Sequence, residues 1–117
     1  MKLIYIAGPY GAMTPAGIKK NVARARDMAA ACRGQGWFFI CPHLNTTGFE
    51  KYTDEDWNTW EKWMEMDLAI LERCDAVLLM PGWEKSDGAR MERSHAIALG
   101  IPAFDFQLVG IPSPGLV

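Results

Sequence analysis

KLIYIA (Lys2–Ala7), WFFIC (Trp37–Cys41), DAVLLM (Asp75–Met80) and GIPAFDF (Gly100–Phe106) are four short apolar runs, and the stretches between them carry helix punctuation. Runs of this length, rich in β-branched and aromatic residues and bounded by Gly and Pro, read as strands, the first and third of them buried. Thr14 followed by Pro15 supplies an N-cap and a first helical residue. That helix is expected to reach Arg33, with Gly34 and Gly36 ending it. Thr53 is expected to open a second helix, with Asp54, Glu55 and Asp56 complementing its dipole. Trp57, Trp60, Met64, Leu68 and Leu71 then form a stripe at helical spacing, which reads as core. Ser86, Asp87 and Gly88 leave a loop and cap a third helix that runs to Leu99. Strands alternating with helices imply parallel pairs joined by right-handed crossovers. The expected fold is α/β: a flavodoxin/Rossmann-like three-layer sandwich on a mostly parallel sheet of four or five strands, with residues 1–117 as a single domain.

Composition narrows the classes of function. At 117 residues the chain can bury a core without staples, and 50% hydrophobic with 22% charged residues is a globular balance. A net charge of -2 and the lack of a basic stripe argue against a nucleic-acid polymer as partner. Leu3–Ala7 is too short for a signal segment, and no apolar run approaches the length of a membrane span. Cys32, Cys41 and Cys74 are odd in number and form no CxxC pair. They suggest neither a disulfide framework nor a metal site, and a cytoplasmic location is expected. The tail from Gln107 to Val117 is apolar, rich in Pro and Gly and without helical period, so it is expected to cover itself on a partner subunit.

Chemistry concentrates near the ends of the strands. Gly88, Ala89, Glu92, Ala96 and Leu99 share one helical stripe, whose other members are small or apolar. Glu92 is therefore aimed at the sheet, near the end of a strand, where open α/β sheets bind ligands. The plainer alternative is a partly buried Glu paired with Arg or Lys. Gly8-Pro9-Tyr10-Gly11 turns from strand to helix as anion-binding turns do, yet it matches neither the dinucleotide fingerprint nor a P-loop. His43, in a polar loop just past the second strand, is placed for a ligand or for solvent. Asp67 lies beside the apolar stripe of its helix. With Tyr5 on the first strand, two carboxylates in one crevice suggest cleavage at a sugar carbon through an oxocarbenium-like transition state. One carboxylate would be the nucleophile and the other the acid, their pKa values separated by different burial.

The residues that carry this reading also carry a resemblance. IYIAGPY at the start, Asp67 eight positions before the Asp of CDAVLLM, and PGWEKSDGARMERSHA together resemble the nucleoside 2-deoxyribosyltransferase family, which includes 2′-deoxynucleoside 5′-phosphate N-hydrolases. The resemblance covers roughly residues 2–106, and Ser86-x-Gly88-x-x-x-Glu92 is its most specific part. It implies cleavage or transfer at the N-glycosidic bond of a (deoxy)nucleoside or its 5′-monophosphate. Glu92 would be the nucleophile at C1′, Asp67 the carboxylate that handles the proton of the leaving base, and Tyr5 a group that orients Glu92 and touches the sugar. Gly8, Pro9, Ser86, Gly88 and His43 would bind substrate, and no metal or other cofactor is implied. Ser86 stands where transferases of free nucleosides tend to have an aspartate, which favours a 5′-phosphate. The resemblance further implies a homodimer or higher homo-oligomer whose sites are completed across an interface. A binding or sensing module on the same fold, without turnover, is the alternative.

Overall fold

Two strands sit at the centre of a four-stranded sheet in this computed structural model, which describes residues 1–117 apart from the side chain of Glu50. β1 (Leu3–Ala7) and β3 (Ala76–Leu79) pair in parallel, with Tyr5 opposite Val77. β2 (Phe38–Ile40) adds in parallel outside β1, and β4 (Ala103–Asp105) outside β3, for the order β2-β1-β3-β4. All three pairings are parallel, as the alternation of strand and helix predicts. The central strands are buried on both faces, which is why they read as unbroken apolar runs.

Helices cover both faces and make three layers. α1 (Pro15–Gly34) starts where expected: the Thr14 hydroxyl accepts from the Gly17 N–H at 3.1 Å, and Pro15 follows it. Its buried side chains are Val22, Ala25, Ala29 and Cys32, small enough to bring the helix close to Ile4, Ile6 and Leu78. On the other face α3 (Trp60–Leu71) and α4 (Asp87–Ala98) cover Tyr5, Ala7, Val77 and Leu79 with Leu71 and Ala96. No helix is long and apolar enough to cross a membrane.

Four expectations need correction. The second long helix opens at Thr59, not Thr53. The Thr59 hydroxyl accepts from the Lys62 N–H at 3.2 Å, whereas the Thr53 hydroxyl donates back to the Phe49 carbonyl at 2.9 Å and finishes a preceding turn. The Trp stripe is not core: Trp57 is 62% and Trp60 49% exposed, and only Met64 and Leu71 of that stripe are buried. His43 lies in a short helix, α2 (Pro42–Thr46), with Pro42 at its first position, where its fixed φ suits helix entry. Leu99, beyond the last turn of α4, is exposed rather than directed at the sheet.

The tail has more local structure than its composition suggests. Asp105 caps a short helix, α5 (Phe106–Val109), by accepting from the Gln107 N–H at 2.9 Å. Ile111 and Val117 then pack against the core on the α1 face, and the buried Trp37 donates its indole N–H to the Pro112 carbonyl at 2.7 Å. Leu108 and Leu116 remain exposed.

Candidate active site

The strand order reverses direction between β1 and β3, and the loops leaving their carboxyl ends border a crevice there. Close packing fixes the residue types in those loops. A Cβ on Gly8 would stand 2.8 Å from the Met80 Cβ, so the first turn tolerates only glycine at that approach. Gly82, with φ near 89°, has the left-handed conformation that favours glycine and turns the chain after β3. From that turn a 3-10 segment, Trp83–Lys85, leads into Ser86, whose hydroxyl caps α4 by accepting from the Ala89 N–H at 3.2 Å. The hydrogen of the Ser86 hydroxyl is left to donate elsewhere.

The crevice is a cavity of about 660 Å³, within the range of small-ligand sites. The first turn gives it Gly8, Pro9, Tyr10 and Gly11, and α2 gives it Pro42, His43 and Thr46. From α3 come Trp60, Trp63, Met64 and Asp67, and from the end of β3 and the start of α4 come Gly82, Lys85, Ser86, Asp87, Gly88, Ala89 and Glu92. Seven residues singled out in the sequence thus meet in one place: Gly8, Pro9, His43, Asp67, Ser86, Gly88 and Glu92. Tyr5 does not line the cavity. It is fully buried beneath it, with its hydroxyl donating to Glu92 Oε2. A direct touch on a ligand, which the resemblance implies for Tyr5, is therefore not what this placement offers; orientation of Glu92 is.

Glu92 is 6% exposed and forms no ion pair among the described residues, which removes the plainer reading of a carboxylate matched to Arg or Lys. Burial pushes its pKa from 4.5 up to about 8; the Tyr5 hydrogen bond works against that rise and the charge of Asp67 adds to it. Asp67 rises from 3.8 to about 6, again through burial, and its Oδ1 is enclosed without a hydrogen-bond partner. Burial also drives the Tyr5 hydroxyl far above its usual range, helped by the charges of Glu92 and Asp67, so Tyr5 stays a donor. The pKa values of the two carboxyl groups are separated, but neither stays at its ordinary value. Both are raised, Glu92 further, because both lie in the same apolar surroundings.

His43 is 7% exposed, and burial lowers its pKa despite the carbonyls of Pro9 and Gly8 beside the ring, so its imidazole is neutral near pH 7. Its Nδ1 lies 3.9 Å from Cys41 Sγ and its Nε2 is buried with no hydrogen bond. Tyr10 packs edge-on against it at a ring separation of 5.3 Å. The three cysteines are buried and free, and burial pushes Cys41 and Cys32 up to about 11 and Cys74 to about 12. Such thiols stay protonated and are poor nucleophiles.

Trp60, Trp63, Thr46 and Lys85 were not foreseen as cavity residues. For the two tryptophans a signal existed: positions 60, 63, 64 and 67 share one helix face, so the face that carries Asp67 also carries the indoles.

Fold and site together define a doubly wound α/β domain whose cleft, at the switch point of its sheet, holds the carboxyl groups of Asp67 and Glu92 at its base and that of Asp87, paired with Arg90, at its rim. Residues 2–105 match the model of a family described as Domain of unknown function (DUF4406), and the chain belongs to that family. No curated protein matches it. Among solved structures it is similar to a 2-deoxyribosyltransferase from the psychrotolerant bacterium Bacillus psychrosaccharolyticus, with a TM-score of 0.62 and 22% identity over 88% of this chain and 70% of that one. It is also similar to a 2-desoxiribosyltransferase from Leishmania mexicana, with a TM-score of 0.59 and 22% identity over 91% of this chain. Of the Leishmania chain it spans 64%, less than two thirds. At that identity the likeness is one of fold.

Proposed function

We propose that this protein cleaves or transfers at the N-glycosidic bond of a (deoxy)nucleoside, with its 5′-monophosphate preferred, through a covalent glycosyl-Glu92 intermediate. One observation carries the reading: Glu92, buried without a cation and held by the Tyr5 hydroxyl, opens onto the same cavity as Asp67. An unpaired buried carboxylate costs the fold several kcal/mol, and such a cost is characteristic of sites kept for function. The fold shared with 2-deoxyribosyltransferases supports the same reading.

In the first step a Glu92 carboxylate oxygen bonds to C1′ as the C1′–N bond breaks and its electron pair passes to the base. Asp67, protonated, gives its proton to that base. In the second step water or a second base attacks C1′, the ester to Glu92 breaks, and Asp67 recovers a proton from the attacking group. Water makes the protein a hydrolase, and a second base makes it a transferase. Tyr5 holds Glu92 in place, while Gly8 and Gly88 present backbone to the sugar along the cavity wall. Ser86, the cap of α4, and Lys85 before it suit a 5′-phosphate, and the charge of the adjoining Asp87 is answered by Arg90.

Incubation with deoxynucleosides and their 5′-monophosphates, with and without an acceptor base, is expected to release or exchange base; a full panel without either would defeat the proposal. Ser86→Asp tests the phosphate preference, since aspartate caps a helix as well as serine and adds only charge. The kcat/KM for a monophosphate is expected to fall about tenfold or more relative to the matching nucleoside. Equal effects on both would remove Ser86 from the phosphate.

Free buried thiols fit a reducing compartment, and we place the protein in the cytoplasm on that ground. A homo-oligomer is also proposed. Met91 and Ile97 on α4, Leu99 just beyond it and Leu116 in the tail expose apolar surface that a second copy would cover. Light scattering at micromolar concentration is expected to give at least a dimer mass; a monomer mass would contradict it.

A further inference from the structure

We propose that Trp60 and Trp63 select the leaving base by stacking, so that the site takes bicyclic, purine-type bases over pyrimidines and distinguishes little among the purines. The inference rests on the glycosidic reading above and adds to it the class of base. The first observation is the failure of the Trp stripe as core. Trp60 is 49% exposed at the start of α3 and yet lines the cavity. Trp63 lines it too, with its indole N–H tied to Asn58 Oδ1 at 2.9 Å, so the ring is held rather than free to turn away.

The second observation is position along the helix. Trp63 and Trp60 precede Asp67 by four and seven residues on one face. At 1.5 Å per residue those offsets are about 6 and 10 Å. A base close enough to take a proton from Asp67 extends along that face toward the indoles. A fused two-ring base covers more of them than a single ring does.

The third is the lack of edge readers. Among the described residues no Asn, Gln or Arg lines the cavity. Those side chains present the paired donors and acceptors that recognise one base edge against another. Beside Asp67 and Glu92, the polar groups on the α2 and first-turn side are His43 Nε2, buried without a hydrogen bond, and the Tyr10 and Thr46 hydroxyls, which are engaged with Thr47 and the Pro42 carbonyl. Lys85, Ser86 and Asp87 lie together at the approach to α4, where the phosphate is placed. Strong discrimination among bases of one size requires a built set of polar contacts. Stacking on an indole responds to ring area and tolerates different edges.

Glu92→Gln supplies the protein for the test, because on the glycosidic reading it is expected to bind without turning over. Calorimetry would compare deoxyadenosine, deoxyguanosine, deoxycytidine and thymidine, each free and as the 5′-monophosphate, with 2-deoxyribose 5-phosphate as a ligand that has no base. The purine compounds are expected to bind about tenfold more tightly than the pyrimidines and within about threefold of each other. Adding Trp60→Leu, and separately Trp63→Leu, is expected to shrink the purine advantage about fivefold or more, and to leave 2-deoxyribose 5-phosphate unchanged. Trp60 is half exposed, so its variant carries the test even if Trp63→Leu disturbs the helix by circular dichroism. Pyrimidines binding as tightly as purines, one purine favoured more than about tenfold over the other, an advantage untouched by Trp60→Leu, or no binding by any compound would each overturn the inference. Base release by the wild-type protein without a purine preference sinks this inference alone. A purine preference without release sinks only the catalytic reading.

Discussion

Glu92→Gln is expected to abolish release of base and, at pH 8, to make the fold more stable. The loss of activity follows because an amide oxygen cannot form the ester to C1′, and water placed by the remaining groups is no substitute at a comparable rate. Stability moves the other way, and its sign can be worked out. Below pH 4.5 Glu92 is protonated in both folded and unfolded chains and carries no electrostatic penalty. Between 4.5 and about 8 the unfolded chain releases the proton while the folded one keeps it, so stability falls as pH rises. Above 8 the penalty is complete. Glutamine is neutral throughout and can still accept from the Tyr5 hydroxyl, so it escapes the penalty. The gain over wild type should be on the order of 4 kcal/mol at pH 8, and close to nothing at pH 4. Chemical denaturation of both proteins at the two pH values measures it. A variant destabilised at both would mean that Glu92 holds the fold together.

The same buried carboxylate shows why some of the molecule was legible in the sequence. Glu92 sits among Gly88, Ala89 and Ala96 on one helical stripe, and a stripe that is otherwise small must face the sheet. The continuous apolar runs of β1 and β3 likewise marked strands covered on both faces, and therefore central ones. A period identifies a face, however, and not what lies opposite it. Trp57, Trp60 and Met64 recur as a core stripe would, but the chain leaves a cavity instead of packed side chains in front of Trp60. Thr53 and Thr59 look alike as caps. The difference between them is a hydrogen bond from Thr53 to Phe49, whose worth depends on a turn that no local preference announces. Tyr5 could be placed on the sheet face toward α4 by alternation along β1, but its depth below the cavity follows from how closely α4 lies on β1. His43 fell in a helix too short for periodicity to mark.

Asp67→Asn is expected to change the shape of the pH profile as well as its height. Turnover needs Glu92 ionised and Asp67 protonated, one proton on the pair. With values near 8 for Glu92 and near 6 for Asp67, the shared proton favours Glu92 by a factor on the order of 10². The competent arrangement is thus the minor one, and wild-type kcat/KM should follow a bell that rises near pH 6 and falls near pH 8. Below the bell both groups are protonated and the nucleophile is lost; above it both are ionised and the acid is lost. Asparagine removes the acid and the charge that helps to raise Glu92, so the alkaline fall should disappear. A single limb remains, rising as Glu92 ionises, with its midpoint below that of the wild-type alkaline limb. Near neutral pH the variant should cleave ordinary bases about 10²–10⁴-fold more slowly, the usual worth of general-acid help. A substrate with an activated leaving group has no need of that proton and should lose little. A variant that keeps both limbs of the bell, or slows the two kinds of substrate alike, would show that Asp67 is not the acid.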